Sequence, residues 1–113
     1  MSSSTIILHG LGSCDTCRAA RRRLEATGRT VVLRDLRLQA PDAAEVARWH
    51  DALGPELLNR RSATWRRLEE ADRAGDPEAL MVAHPTLIKR PVVEADERLH
   101  LGWTEATRTA LGL

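Results

Sequence analysis

The feature that most constrains this chain is the run Thr5-Ile6-Ile7-Leu8-His9 leading directly into Gly10-Leu11-Gly12-Ser13-Cys14-Asp15-Thr16-Cys17-Arg18. A β-branched run ending in glycines and a serine predicts a strand that delivers the chain into a turn. From Asp15 to about Thr27, Cys17, Ala20 and Leu24 recur at helical spacing between arginines, and Gly28 is a stop signal. Thr30-Val31-Val32-Leu33-Arg34-Asp35 then reads as a second strand. The opening of the chain is therefore expected to be a βαβ unit with a parallel, right-handed crossover, and Cys14 falls at its strand-to-helix junction.

The middle of the chain changes character. Pro41-Asp42 begins a helix in which Val46, Ala47, His50 and Leu53 share a face before Gly54-Pro55 breaks it. Ser62 is a candidate cap for a helix carrying Trp65 and Leu68 and ending near Gly75, and Asp76-Pro77 caps another up to His84-Pro85. Residues 41–84 thus read as helical. Three strands are expected next, Thr86-Leu87-Ile88, Pro91-Val92-Val93-Glu94 and Arg98-Leu99-His100-Leu101, the last two joined by a turn at Ala95-Asp96-Glu97. Thr104 caps a final helix over Glu105–Leu111, with Trp103 placed as its staple residue. The order βαβ, helices, ββα is that of a thioredoxin-like α/β fold with a helical insertion at about 41–84, in a single domain spanning 1–113.

Composition narrows the function classes. A chain of 113 residues with net charge +1 has no general electrostatic drive toward nucleic acid or an anionic membrane. The N-terminal Met1-Ser2-Ser3-Ser4-Thr5 has no basic flank, and the apolar run after it is too short for a signal peptide or a membrane span, so a cytoplasmic location is expected. In that reducing compartment two cysteines three residues apart point to redox or metal chemistry rather than a permanent staple. A zinc site needs further ligands, and His9, His50, His84 and His100 show no ligand spacing, so no metal is expected. The 17 basic residues include one lysine, Lys89, and this bias toward arginine lowers the information carried by any one arginine.

The chemistry then concentrates at Cys14. A thiol at a helix start faces unpaired N–H groups and the positive end of the helix dipole, which favour the nucleophilic thiolate. Cys17, one turn on, is within reach to attack a mixed disulfide formed on Cys14. It also lies on the face of Ala20 and Leu24, so a small apolar packing residue is the competing reading. The carboxylate of Asp15 opposes thiolate formation next door. Arg18, one turn from Cys14, is the arginine of this helix placed to bind an anion, whereas Arg21, Arg22 and Arg23 read as a solvated face.

Three blocks carry a family resemblance: Ser13-Cys14-Asp15-Thr16-Cys17-Arg18, Leu58-Asn59-Arg60-Arg61-Ser62-Ala63-Thr64-Trp65, and His84-Pro85-Thr86-Leu87-Ile88-Lys89-Arg90-Pro91-Val92. In these the chain resembles the arsenate reductase-like (ArsC/Spx) family, above all its short YffB-type branch. The resemblance implies a nucleophilic Cys14, a cis-proline at Arg90-Pro91, and anion binding by Arg90 and by Arg61, with Arg60 as the alternative. A guanidinium there would hold an oxyanion or a glutathione carboxylate in a two-pronged grip. It implies a glutathione-linked oxidoreductase without a bound cofactor, acting on a small thiol or oxyanion substrate, with glutathione and glutaredoxin as partners. Two departures bear on that reading. Where arsenate reductases carry a further anion-binding arginine after the hairpin, this chain has Leu101-Gly102-Trp103, as the YffB and Spx branches do; Cys17 gives it the CxxC of the Spx regulators. The alternatives are therefore an Spx-like redox switch that contacts RNA polymerase, and an arsenate reductase proper.

Overall fold

The computed structural model describes residues 5–113, so residues 1–4 of the N-terminal stretch read for targeting signals lie outside the described residues. The chain divides into two compact units, one made of the residues up to Asp35 together with Arg90–Leu113, the other of Leu36–Lys89. The second unit contains the expected insertion of 41–84 and extends it at both ends.

In the first unit, strand β1 (Ile6–Gly10) leads to helix α1 (Asp15–Glu25), strand β2 (Val31–Asp35) comes next, and after the insertion come strands β3 (Val92–Ala95) and β4 (Arg98–Leu101). The sheet order is β2-β1-β3-β4. β2 runs parallel to β1, with Ile6 opposite Val31 and Gly10 opposite Asp35, while β3 and β4 are antiparallel. This is the thioredoxin-like arrangement that the element order predicts.

Its core arises from two periodicities. Cys17, Ala20 and Leu24 form the buried stripe of α1, and Ile6 and Leu8 alternate on one face of β1. Ala20, Leu24, Ile6 and Leu8 make one hydrophobic cluster with Val31, Val93, Ala95 and Leu111, against which Leu33, Trp103 and Leu113 pack. Asp15 in the first turn of α1 and Arg22 and Arg23 in its last turn complement the helix dipole. The opposite alternation places His9 inside the protein, where a carboxylate and a guanidinium meet it. Its Nε2 lies 3.1 Å from Glu94 Oε1 and its Nδ1 3.2 Å from Arg34 Nη1. An arginine can only donate, so Nδ1 accepts and Nε2–H donates to Glu94. The ring thereby ties β2, β1 and β3 together.

The hairpin turn between β3 and β4 is tighter than the three-residue reading. Asp96 and Glu97 alone turn the chain, both at positive φ (50° and 63°), as a two-residue turn matched to strand twist requires. The last helix, here α6 (Glu105–Ala110), is capped by the Thr104 hydroxyl, which accepts from the Thr107 N–H at 3.1 Å.

The inserted unit begins with α2 (Ala43–Leu53), capped by Asp42 through the Glu45 N–H at 2.8 Å, and ends that helix at Gly54 with φ of 82°. Two expectations for this unit are corrected. The helix predicted from Ser62 to Gly75 is two short ones, α3 (Ala63–Arg67) and α4 (Glu70–Arg73), since Leu68 leaves helical geometry. Arg73 donates to the Trp65 and Arg66 carbonyls, each at 3.1 Å, and so satisfies the end of α3 across the break. The strand predicted at Thr86-Leu87-Ile88 is instead a 3₁₀ turn over Pro85–Leu87, with Ile88 bridging Leu58. Here Pro85 at the start of the turn prevails over β propensity, because its fixed φ suits a helical first turn. The Asn59 N–H to Leu87 carbonyl and Lys89 N–H to Leu57 carbonyl bonds, both 2.8 Å, hold the two segments side by side. Between them lies α5 (Pro77–Ala83), joined to α2 by His50 Nδ1 and Glu78 Oε2 at 2.7 Å. Trp49, outside the face assigned from the sequence, is fully buried along with Val46.

Leu24 is fully buried in the core cluster of the first unit. Leu24→Ala is expected to lower stability by about 2–5 kcal/mol through lost transfer energy and the cavity left behind. Urea unfolding of the variant beside the unaltered protein checks this, with a lower midpoint expected at similar slope.

Candidate active site

β1 ends at Gly10, and residues 11–14 carry the chain over to α1. The Cys14 N–H closes this turn on the Leu11 carbonyl at 3.1 Å. The Gly12 N–H donates to Asp35 Oδ2 at 3.0 Å, so the last residue of β2 pins the turn from the neighbouring strand. Cys14 then occupies the cap position of α1 in extended conformation, φ −81° and ψ 120°, with the first helical N–H groups ahead of it.

Both cysteines are free thiols, Cys14 partly exposed and Cys17 fully buried. Burial opposes ionisation of Cys14, but the Cys17 backbone N–H, the Cys17 thiol and the Arg90 guanidinium act against it and together hold the thiol below its ordinary value. The sulfur makes no short capping hydrogen bond, so these groups favour the thiolate as neighbours rather than as a tight cap. Cys17 goes the other way. Burial, with the negative charge and hydrogen bonding of Cys14 added, pushes it up to about 11 despite the Leu11 backbone and Arg90. The thiolate is thus favoured on one sulfur of the pair and disfavoured on the other.

Arg90 precedes Pro91 across a cis peptide bond, as the family resemblance implies, and Pro91 is fully buried at the head of β3. The Pro91 carbonyl accepts from the Gly102 N–H at 2.8 Å, anchoring this step to the end of β4. Cys14, Cys17, Arg90 and Pro91 therefore converge within the first unit. Arg18 shares α1, but its Nη2 donates to the Asp15 carboxylate with both side chains exposed. In this conformation it is paired with Asp15 at the surface.

Arg61 belongs to the inserted unit. There a cleft of about 610 Å³ is lined by Asn59, Arg60, Arg61 and Lys89, with Glu56 as its acidic member. The Arg61 backbone is fixed by its N–H to Asn59 Oδ1 at 3.0 Å and by its carbonyl, which accepts from Arg66 Nη2 at 2.8 Å. Its guanidinium has no partner among the described residues. The Arg60 guanidinium lies 5.4 Å from the centre of the Trp65 ring, which Arg73 also approaches at 5.7 Å. Stacking on an aromatic face thus engages Arg60.

Two functional positions escape the sequence reading. Asp35 looks like the end of a strand, and its hold on Gly12 becomes visible only with the parallel register that places it opposite Gly10. Gly10 looks like a turn residue, whereas a side chain there would run into Cys17. Among the described residues no cluster of three or more histidine, cysteine or acidic side chains could hold a metal ion, and no helix is long and apolar enough to cross a membrane.

Comparison with known proteins agrees with this geometry. The chain is 30% identical to an uncharacterized protein of Haemophilus influenzae over 105 residues, 88% of this chain and 92% of that one. It is 27% identical to the global transcriptional regulator Spx of Bacillus subtilis over 106 residues, 88% of this chain and 81% of Spx. Among solved structures, the protein YffB matches with a TM-score of 0.85 and 32% identity, covering 93% of this chain and 96% of YffB. An arsenate reductase-related protein from Brucella melitensis matches with a TM-score of 0.72 and 34% identity, over 94% of this chain and 92% of that one. The model of the ArsC family matches residues 9–111, from the end of β1 to the end of the last helix, and the chain belongs to that family.

Proposed function

We propose that this ArsC-family protein is a glutathione-linked thiol–disulfide oxidoreductase of the reducing cytoplasm, with Cys14 as its nucleophile. The observation that carries the reading is the pairing of a depressed, partly exposed Cys14 thiol with the Arg90 guanidinium. The Cys14 thiolate attacks one sulfur of a disulfide, the S–S bond of that disulfide breaks, and the other half leaves as a thiolate. A mixed disulfide on Cys14 remains. Attack on that bond by Cys17, or by a second glutathione with glutaredoxin as an alternative acceptor, releases the bound half and completes the exchange. Arg90 takes an anionic group of the substrate, as a carboxylate suits the guanidinium fork.

Electrostatics supports a role for Cys17 in the second step. Two of the causes that raise Cys17, the charge of Cys14 and the hydrogen bond with it, vanish once Cys14 is tied up in a mixed disulfide. Cys17 becomes easier to ionise at the moment its thiolate is needed.

The CxxC and the likeness to Spx favour a second reading, in which the same pair acts as a redox switch on contact with RNA polymerase. Co-precipitation with the polymerase α subunit under oxidising and reducing conditions separates the two: redox-dependent capture supports the switch. Arsenate is disfavoured as substrate by Leu101-Gly102-Trp103, and arsenate-dependent NADPH oxidation in a glutaredoxin-coupled assay should be weak beside disulfide reduction.

Mass spectrometry after reaction with oxidised glutathione tests the proposal directly, with the adduct expected on Cys14. An adduct confined to Cys17 would overturn it. In the pH profile of iodoacetamide labelling, the thiolate is the reactive form, so a depressed value keeps Cys14 reactive further into acid. Cys14 labelling should therefore fall away only below the ordinary thiol range, while Cys17 reacts only as pH approaches about 11. Arg90→Lys retains the charge and loses the fork. It is expected to cut turnover of glutathione disulfide by about tenfold, the scale of one charge-assisted hydrogen bond, as measured by steady-state kinetics.

A further inference from the structure

The end of β1 carries a steric feature that the exchange chemistry does not use. Gly10 is buried, and a Cβ built on it would overlap the Cys17 Sγ more closely than real side chains ever approach. The other atoms near that position leave ordinary room, Cys17 Cβ at 3.6 Å and Arg90 Cβ at 3.8 Å. The space above Gly10 is thus filled by one atom, the sulfur of Cys17. A cysteine in a helix has one rotatable bond and few allowed settings for it, since one of the three staggered positions clashes with the preceding turn.

We infer that Gly10 is a positioning residue for the thiol pair: its missing side chain is the seat of the Cys17 sulfur, and this seat keeps that sulfur turned toward Cys14 and Arg90. This deepens the proposed function and rests on it for the consequence in exchange. In the closing step Cys17 gives its proton to solvent, and its sulfur forms the S–S bond to Cys14. The bond between Cys14 and glutathione breaks, and glutathione leaves as thiolate. One disulfide replaces another, so no further oxidant is required. The geometry of this in-line attack tolerates little displacement, and about 1 Å of misplacement costs on the order of a hundredfold. Adding one methyl at position 10 turns the Cys17 sulfur off its seat and removes it from Cys14.

The test compares Gly10→Ala, Cys17→Ala and the double variant with the unaltered protein, each checked for folding by circular dichroism and thermal melting. In folded Gly10→Ala two changes are expected. Closure of the Cys14–Cys17 disulfide after reaction with oxidised glutathione, followed by quenched-flow mass spectrometry, should slow by about tenfold or more. The iodoacetamide titration of Cys14 in the reduced protein should move to higher pH, because the sulfur that favours its thiolate has left. Gly10→Ala should lower the melting temperature in the parent and leave it nearly unchanged in the Cys17→Ala background, where no sulfur occupies the seat. An equal loss of stability in both backgrounds overturns the inference, and so does folded Gly10→Ala with unaltered closure and Cys14 titration. If Gly10→Ala fails to fold, the melting comparison in the Cys17→Ala background decides alone. If the unaltered protein never closes its disulfide, resolution by Cys17 fails, and the Cys14 titration together with the double variant still judges Gly10.

Discussion

The bond from the Gly12 N–H to the Asp35 carboxylate fixes where β1 stops and where α1 starts, and the reactive part of the first unit depends on that junction. It exists because β2 lies parallel to β1 in a register that brings Asp35 opposite Gly10. A parallel pair needs a crossover, the crossover is α1, and the residue at its cap position is Cys14. Sheet register thus determines the position of Cys14 before any property of the thiol enters. The same β1 carries Ile6 and Leu8 into the core on one face and His9 on the other. The strand that leads to Cys14 is held on both sides, by apolar packing and by the bonds of His9 to Arg34 and Glu94.

The elements that were legible in the sequence are the ones decided locally. The strand runs, the α1 stripe and the cap residues Asp42, Ser62, Asp76 and Thr104 all carry signals within a few residues, and each of those caps accepts the expected N–H. The misses have their own causes. Thr86-Leu87-Ile88 has a strand composition, but Pro85 starts a 3₁₀ turn there, and the Leu87 carbonyl is taken by the Asn59 N–H, nearly thirty residues away in sequence. The break between α3 and α4 is stabilised by Arg73 reaching back to two carbonyls, a contact that no local pattern announces. Trp49 belongs with Val46 at helical spacing, and its place was obscured by assigning the face to Ala47 and His50 instead.

Arginine shows the same limit at the site. In a chain whose basic residues are nearly all arginine, the residue type says little about its use. Position sorts them: Arg18 is engaged by Asp15, Arg60 lies over Trp65, Arg66 holds the Arg61 carbonyl, and Arg108 donates to the Trp103 carbonyl at 2.7 Å. Arg90 is distinguished by its step onto a cis-proline at the head of β3. The family resemblance located it, since the bare sequence favours a trans bond at any X–Pro step.

The two thiols illustrate how one environment produces opposite acidities. Both sulfurs lose solvent, and both have Arg90 as a favourable neighbour. What separates them is the direction of the interaction between them. Cys17 offers its N–H and its S–H to Cys14, which stabilises a charge on Cys14; the charged Cys14 then makes a second charge on Cys17 unfavourable. The pair therefore holds one negative charge, and burial assigns it to the sulfur that solvent and substrate can reach. A partly exposed thiol of lowered pKa and a buried thiol of raised pKa are thus set side by side among the same four residues, Gly10, Cys14, Cys17 and Arg90. Gly10 contributes to this without any chemistry of its own, since the division of charge requires the Cys17 sulfur to lie close to Cys14, and only a residue lacking a side chain leaves it that place.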